Sequence, residues 1–126
     1  MKRLLLDSHV LLWWADEPKA LSMPAREAIA DGRHLIYVSV ATLWELGIKE
    51  AAGKLRMPQE IGELLKANRF DVIPITADHV SLAVGLPPIH RDPFDRMLVS
   101  QARIERLTLV TRDEVIAKYD VPLLAA

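Results

Sequence analysis

The sequence predicts an α/β fold: a central, mainly parallel sheet of four to five strands, with helices on both faces. Three observations carry that prediction. Short apolar runs alternate with amphipathic helical stretches along the chain, the pattern of parallel strands joined by helical crossovers. The opening run Leu4-Leu5-Leu6 is apolar at every position, as in a strand buried on both faces. Acidic residues then stand where apolar runs give out, at Asp7 and Asp113. The carboxyl ends of parallel strands open on one crevice, where open α/β sheets place their ligands.

Residues 2–7 read as the first strand and 8–15 as a short helix. A second helix covers 24–31, with Ser22 near its start and Gly32 as its stop. Ile36, Tyr37 and Val38 mark a second strand over 35–39, followed by a helix over 40–52 that ends at Gly53. Residues 58–68 form a further helix, with Pro58 in its first turn. A third strand over 71–75 contains Pro74, which assigns it to a sheet edge or shortens it. Thr76 caps a helix over 77–84 that stops at Gly85-Leu86-Pro87-Pro88. The long helix 93–106, a strand over 107–111, a helical turn over 114–118 and a last strand over 121–124 complete the order.

At 126 residues the chain is long enough for one domain, residues 1–126, and too short for two. Hydrophobic residues make up 51% and charged ones 26%, an ordinary globular balance. No apolar run approaches the roughly 20 residues of a membrane span. The amino terminus lacks a signal peptide's cleavage pattern, so a cytoplasmic protein is expected. The absence of cysteine excludes disulfides, thiol catalysis and zinc–thiolate sites. A formal net charge of −1 argues against a nucleic-acid binder working by bulk charge. It leaves room for a local basic rim, for which Lys49, Lys54, Arg56, Arg91, Arg96 and Arg112 are candidates; each also reads as an ordinary solvated side chain.

Four acids carry the functional argument, and each alone has a structural explanation. Asp7 and Asp113 are placed to cap the helices that follow them. Glu45 is placed to pair with Lys49 one turn on, or to form a capping box with Thr42, but Trp44, Leu46 and Ile48 set it at the border of an apolar face. Asp92-Pro93-Phe94-Asp95 is a strong helix start in which Asp92 is the cap, leaving Asp95 free to project towards the strand ends. Together the acids say more. Two unit charges 4 Å apart repel by about 4 kcal/mol at an effective dielectric of 20. A close cluster must therefore raise its own pKa values or bind a cation. Oxygen donors favour Mg²⁺ or Mn²⁺ over zinc.

Other chemistries lack their signatures. His9, His34, His79 and His90 show no zinc-helix spacing, and no HExxH, GxSxG, GxxxxGK[ST] or GxGxxG occurs. A signalling receiver-like α/β domain has similar length and layering. It requires paired acids after the first strand, an acceptor Asp after the third and a Lys after the fifth, none of which is present. A haloacid-dehalogenase-type phosphatase needs a second Asp where His9 stands. A catalytically inactive α/β protein-binding module is the remaining alternative.

The motifs resemble those of PIN-domain ribonucleases, specifically the VapC-type toxins of bacterial toxin–antitoxin pairs. Leu-Leu-Leu-Asp7-Ser-His resembles the family's opening strand and first acid, and Val38-Ser-Val-Ala-Thr-Leu-Trp-Glu45-Leu its second motif. His90-Arg-Asp-Pro-Phe-Asp95-Arg-Met-Leu-Val-Ser-Gln-Ala is similar to the third and the most specific; Leu109-Val-Thr-Arg-Asp113 resembles the fourth. The likeness runs from Lys2 to about Leu124, with Ser8 where many relatives carry threonine.

The resemblance implies a PIN-like three-layer α/β/α sandwich and a metal-dependent endoribonuclease. It assigns Asp7, Glu45, Asp95 and Asp113 as the acids around one or two Mg²⁺ ions, with Mn²⁺ as a substitute. Ser8, Asp92 and Thr111 are expected beside the ligands rather than on the ion. It further implies an RNA substrate, homodimers and a cognate antitoxin protein, with Trp13, Trp14 and Trp44 as contact candidates whose ordinary alternative is core packing.

Overall fold

The computed structural model describes residues 1–126. Strand β1 (Arg3–Leu6) leads into helix α1 (Ser8–Asp16), a 3-10 turn (Pro18–Ala20) and helix α2 (Met23–Ala30). Strand β2 (Leu35–Ser39), helix α3 (Val40–Ala51), helix α4 (Ile61–Ala67) and strand β3 (Asp71–Ile73) follow. Helices α5 (Ala77–Gly85) and α6 (Pro93–Glu105), strand β4 (Thr108–Thr111), a second 3-10 turn (Ile116–Lys118) and strand β5 (Leu123–Ala125) close the chain.

All five strands are parallel, in the order β3-β2-β1-β4-β5. The chain winds outward from β1 through β2 to β3, then returns to the other side of β1 for β4 and β5. The winding therefore reverses between β1 and β4, and the crevice at such a switch point is a ligand site by construction. Leu4, Leu5 and Leu6 are all fully buried, as an all-apolar strand requires. Leu4 and Leu6 join Val10, Leu11, Ala25, Ile29, Leu64 and Leu65 on one face. Leu5 points the other way, to Leu98, Val99 and Ala102 of α6. This is the three-layer sandwich expected from the sequence.

Side-chain caps start most helices where the sequence predicts. Ser22 caps α2, Ser39 caps α3 and Thr76 caps α5, the last in a capping box closed by His79. Gly53, with φ +72°, follows the end of α3. Most boundaries shift by a residue or two from expectation, and four shifts have a visible cause. The helix expected from residue 58 begins at Ile61, because the Glu60 carboxylate accepts the Gly62 and Glu63 N–H groups, both at 2.9 Å. Helix α2 ends at Ala30, with Asp31 already extended, so Gly32 is not its stop. Strand β3 is an edge strand, as expected, but stops at Ile73 because Pro74 has no N–H to extend the ladder. The last strand runs Leu123–Ala125 rather than over 121–124, since Leu123 is the residue aligned with Leu109.

Candidate metal centre at the strand ends

Asp7 leaves β1 directly into the crevice. Its side chain caps α1, accepting the Val10 N–H at 2.8 Å on Oδ1. The second oxygen, Oδ2, accepts the hydroxyl of Thr111 from the end of β4. Only 4% exposed, Asp7 has its carboxyl raised by burial, against the lowering effect of those two hydrogen bonds and of His9; Asp113 adds a smaller push upward. One oxygen thus caps α1 while the other ties the end of β1 to the end of β4.

Glu45 lies on α3 and is 5% exposed. Lys49 Nζ stands 3.0 Å from Oε2, so the expected one-turn pair forms, but its acidic half is buried rather than solvated. The Thr42 capping box does not form. Ser39 is the cap of α3, accepting the Ala41 N–H at 3.0 Å, while the Thr42 hydroxyl is buried without a partner.

Asp95 sits in the first turn of α6, and Asp92 caps that helix by accepting the Phe94 N–H at 2.9 Å. Asp92 is the cap, as expected, and Asp95 takes no part in capping α6. Burial pushes the Asp95 carboxyl up to about 7, assisted by Asp92 and, more weakly, by Glu45 and Asp7, and opposed by His90. Charges on α3 and at the end of β1 therefore bear on Asp95. Asp113 caps the turn after β4, its Oδ1 accepting from Val115 at 2.8 Å and Ile116 at 3.3 Å. Burial raises its carboxyl, but hydrogen bonds from His90, Val115 and Ile116 outweigh that and hold it below the ordinary range. Ser8 is buried at the start of α1, and the Thr111 hydroxyl also accepts the Asp113 N–H at 3.0 Å.

His90 is the participant that acid-based sequence reasoning missed. Its Nε2 lies 2.9 Å from Asp113 Oδ2 and 3.1 Å from Asp95 Oδ2. These three residues bring polar atoms within 4.8 Å of one another, which sets the two carboxylates close enough to share a divalent cation. The available signal was a histidine two residues ahead of the Asp92 cap, placed to fold back over the first turn of α6. The metal fits on this structure's own terms: partly buried acids repel one another, and burial among them pushes the Asp95 carboxyl up to about 7.

The basic rim divides. Arg112 lines a depression with Asp7, His9, Trp13 and Asp113, and its guanidinium stacks 4.3 Å over the Trp13 ring. Lys54, Arg56 and Arg91 are exposed, and Lys49 is engaged by Glu45. Arg96 is not a rim residue. It turns inward to the end of α5, donating to the carbonyls of Ala83 at 2.8 Å, Leu86 at 2.9 Å and Pro87 at 3.0 Å. The tryptophans also divide. Trp13 and Trp14 pack against the core, Trp14 donating to Asn68 Oδ1 at 3.0 Å, whereas Trp44 is 63% exposed and meets Phe94 edge-on.

A reversed-winding parallel sheet with buried acids at its switch point is the architecture of a PIN domain. The family model described as PIN domain matches residues 4–122, and the chain belongs to that family. It is 31% identical over 125 residues to Ribonuclease VapC22 of Mycobacterium tuberculosis, covering 97% of this chain and 95% of that protein. Two crystal structures share the fold. VapBC2 from Rickettsia felis bound to a promoter DNA fragment matches with a TM-score of 0.70 at 18% identity, covering 98% of each chain. DNA-bound VapBC from Salmonella typhimurium matches with a TM-score of 0.70 at 17% identity, covering 99% of this chain and 98% of that one. No helix is long and apolar enough to cross a membrane.

Proposed function

We propose that the chain is a Mg²⁺-dependent endoribonuclease toxin, cytoplasmic and neutralised by a cognate antitoxin, acting as one PIN domain. The observation that supports the reading is the close approach of Asp95 and Asp113 around His90, with the Asp95 carboxyl pushed up to about 7 by burial, by Asp92 and, more weakly, by Glu45 and Asp7. The likeness to a curated ribonuclease over nearly the whole chain supports the RNA substrate, and the toxin–antitoxin complexes sharing the fold support the protein partner.

Asp7, Glu45, Asp95 and Asp113 would hold the ion, Mg²⁺ or its substitute Mn²⁺. A divalent ion there supplies activation of water and stabilisation of charge developing on a phosphodiester. The chain's own residues do the orienting. Both oxygens of Asp7 are fixed, by Val10 and Thr111, so this carboxylate is pre-set before substrate arrives. Lys49 holds the Glu45 carboxylate from one turn away. Arg112, anchored on Trp13 and by a 2.6 Å bond to the Ala126 carbonyl, supplies positive charge beside the acids for the phosphate backbone. Pairing of two copies is supported by Val40, Trp44 and Ile48, a partly exposed apolar stripe on α3.

The test is incubation of purified, antitoxin-free protein with structured and single-stranded RNA, with Mg²⁺, with Mn²⁺ and with EDTA. Cleavage that needs the metal is expected. Absence of metal-dependent cleavage of any RNA, with no metal binding by calorimetry, would return the acids to helix capping and favour a binding module.

A further inference from the structure

Resting on the metal reading just given, we propose that His90 is a positioning residue: it sets Asp95 and Asp113 for a divalent cation without binding the ion itself. The argument turns on which ring nitrogen faces the acids. The backbone N–H of Asp92 donates to Nδ1 at 3.1 Å, so Nδ1 spends its lone pair as an acceptor and the ring proton resides on Nε2. That Nε2–H donates to Oδ2 of Asp113 at 2.9 Å, and Oδ2 of Asp95 lies 3.1 Å from the same nitrogen as a charge contact.

A protonated ring nitrogen has no lone pair to offer a metal. Nε2 becomes a ligand only if its proton moves to Nδ1, which would set two N–H groups against each other across the 3.1 Å contact to Asp92. The backbone of the same loop therefore selects the donor form. What that donor does is join two segments: the first turn of α6, carrying Asp95, and the turn after β4, carrying Asp113. Both are acids, and like charges drift apart unless a shared partner holds them.

The ring is itself well held. The backbone N–H of His90 donates to the Tyr119 hydroxyl at 2.8 Å, and that hydroxyl donates to the Pro87 carbonyl at 2.8 Å. Arg96 Nη1 donates to the same Tyr119 oxygen at 3.2 Å, so the loop preceding α6 is braced from the far side of the site. A fixed N–H on a fixed loop is how carboxylate ligands are kept in place. Groups that orient ligands from outside the coordination sphere are typically worth about 10–100-fold in metal affinity.

The test measures Mn²⁺ binding by calorimetry and pulsed electron paramagnetic resonance on the full chain, for wild type, His90→Ala and His90→Gln, with thermal unfolding of each in EDTA as the fold control. Glutamine places an amide N–H donor close to where Nε2–H lies. The expected result is a wild-type Mn²⁺ signal without strong nitrogen coupling, affinity reduced about 10–100-fold in His90→Ala, and affinity close to wild type in His90→Gln. Strong nitrogen coupling in wild type that vanishes in His90→Ala would make His90 a ligand and overturn the proposal. Unchanged affinity in a folded His90→Ala protein would overturn it too. Wild-type protein that binds no Mn²⁺ sinks the metal reading itself, and this inference with it.

Discussion

Thr111 gives its hydroxyl hydrogen to Asp7 Oδ2, joining the carboxyl ends of β4 and β1 at the point where the winding of the chain reverses. The same hydroxyl oxygen accepts the Asp113 N–H, so one small side chain orders two acids. Thr111→Val keeps the shape and removes both bonds. Leaving a buried acceptor unpaired costs about 1–3 kcal/mol, and a loss in that range is expected by urea unfolding in EDTA, with Thr111→Ser restoring most of it. A Thr111→Val protein as stable as wild type would refute the bridge.

Asp7→Asn is expected to reduce RNA cleavage to background while leaving the fold intact. Burial raises the Asp7 carboxyl, so a neutral amide there relieves desolvation. Thermal unfolding in EDTA should accordingly place the variant's midpoint at or above that of wild type. Retained cleavage would remove Asp7 from the proposed ion-holding set.

Asp95 gives the metal-free protein a pH-dependent stability of defined sign. Its carboxyl moves from an ordinary 3.8 to about 7 in the folded chain, so between these values the folded state holds the extra proton. The contribution is fully present below 3.8 and is lost as pH rises through about 7. Unfolding midpoints in EDTA should fall across that interval for wild type and fall less for Asp95→Asn. Added Mg²⁺ should restore wild type above neutrality and leave the variant little changed. A wild-type midpoint that climbs through the same window would contradict the assignment.

Arg96→Ala separates bracing from substrate contact. The guanidinium satisfies carbonyls at the end of α5 and contacts the Tyr119 hydroxyl. Its removal is expected to destabilise by about 1–3 kcal/mol through unpaired acceptors. RNA affinity of the folded fraction, measured by filter binding, should stay near wild type. Arg112→Ala should weaken RNA binding and reduce its salt dependence.

Trp44→Ala tests pairing of two copies. A mostly exposed side chain away from the core normally changes stability by no more than about 0.5 kcal/mol. Sedimentation should show wild type as a dimer and the variant shifted towards monomer at the same concentration. An unshifted dimer would move the interface off the α3 stripe.

Local chemistry made most of the fold legible. Leu4-Leu5-Leu6 announced a doubly buried strand, and Ser22, Thr76 and Asp92 announced helix starts, because a cap is a bond between near neighbours in sequence. Boundaries shifted where a cap competed with a weaker signal. Glu60 overrode Pro58, since two hydrogen bonds to the carboxylate outweigh a favourable φ.

The sequence by itself determined the class of architecture and which acids were candidates, since apolar periodicity and acids at the ends of apolar runs are written along the chain. Tertiary structure alone decided how those acids are placed. Placing β4 beside β1 joined Thr111 to Asp7, and folding back the loop before α6 set His90 between Asp95 and Asp113. It also turned Arg96 inward to the α5 carbonyls and left Trp44 in the open. These outcomes depend on which distant segments become neighbours. Sheet order and the winding reversal fix that, and no local propensity encodes it.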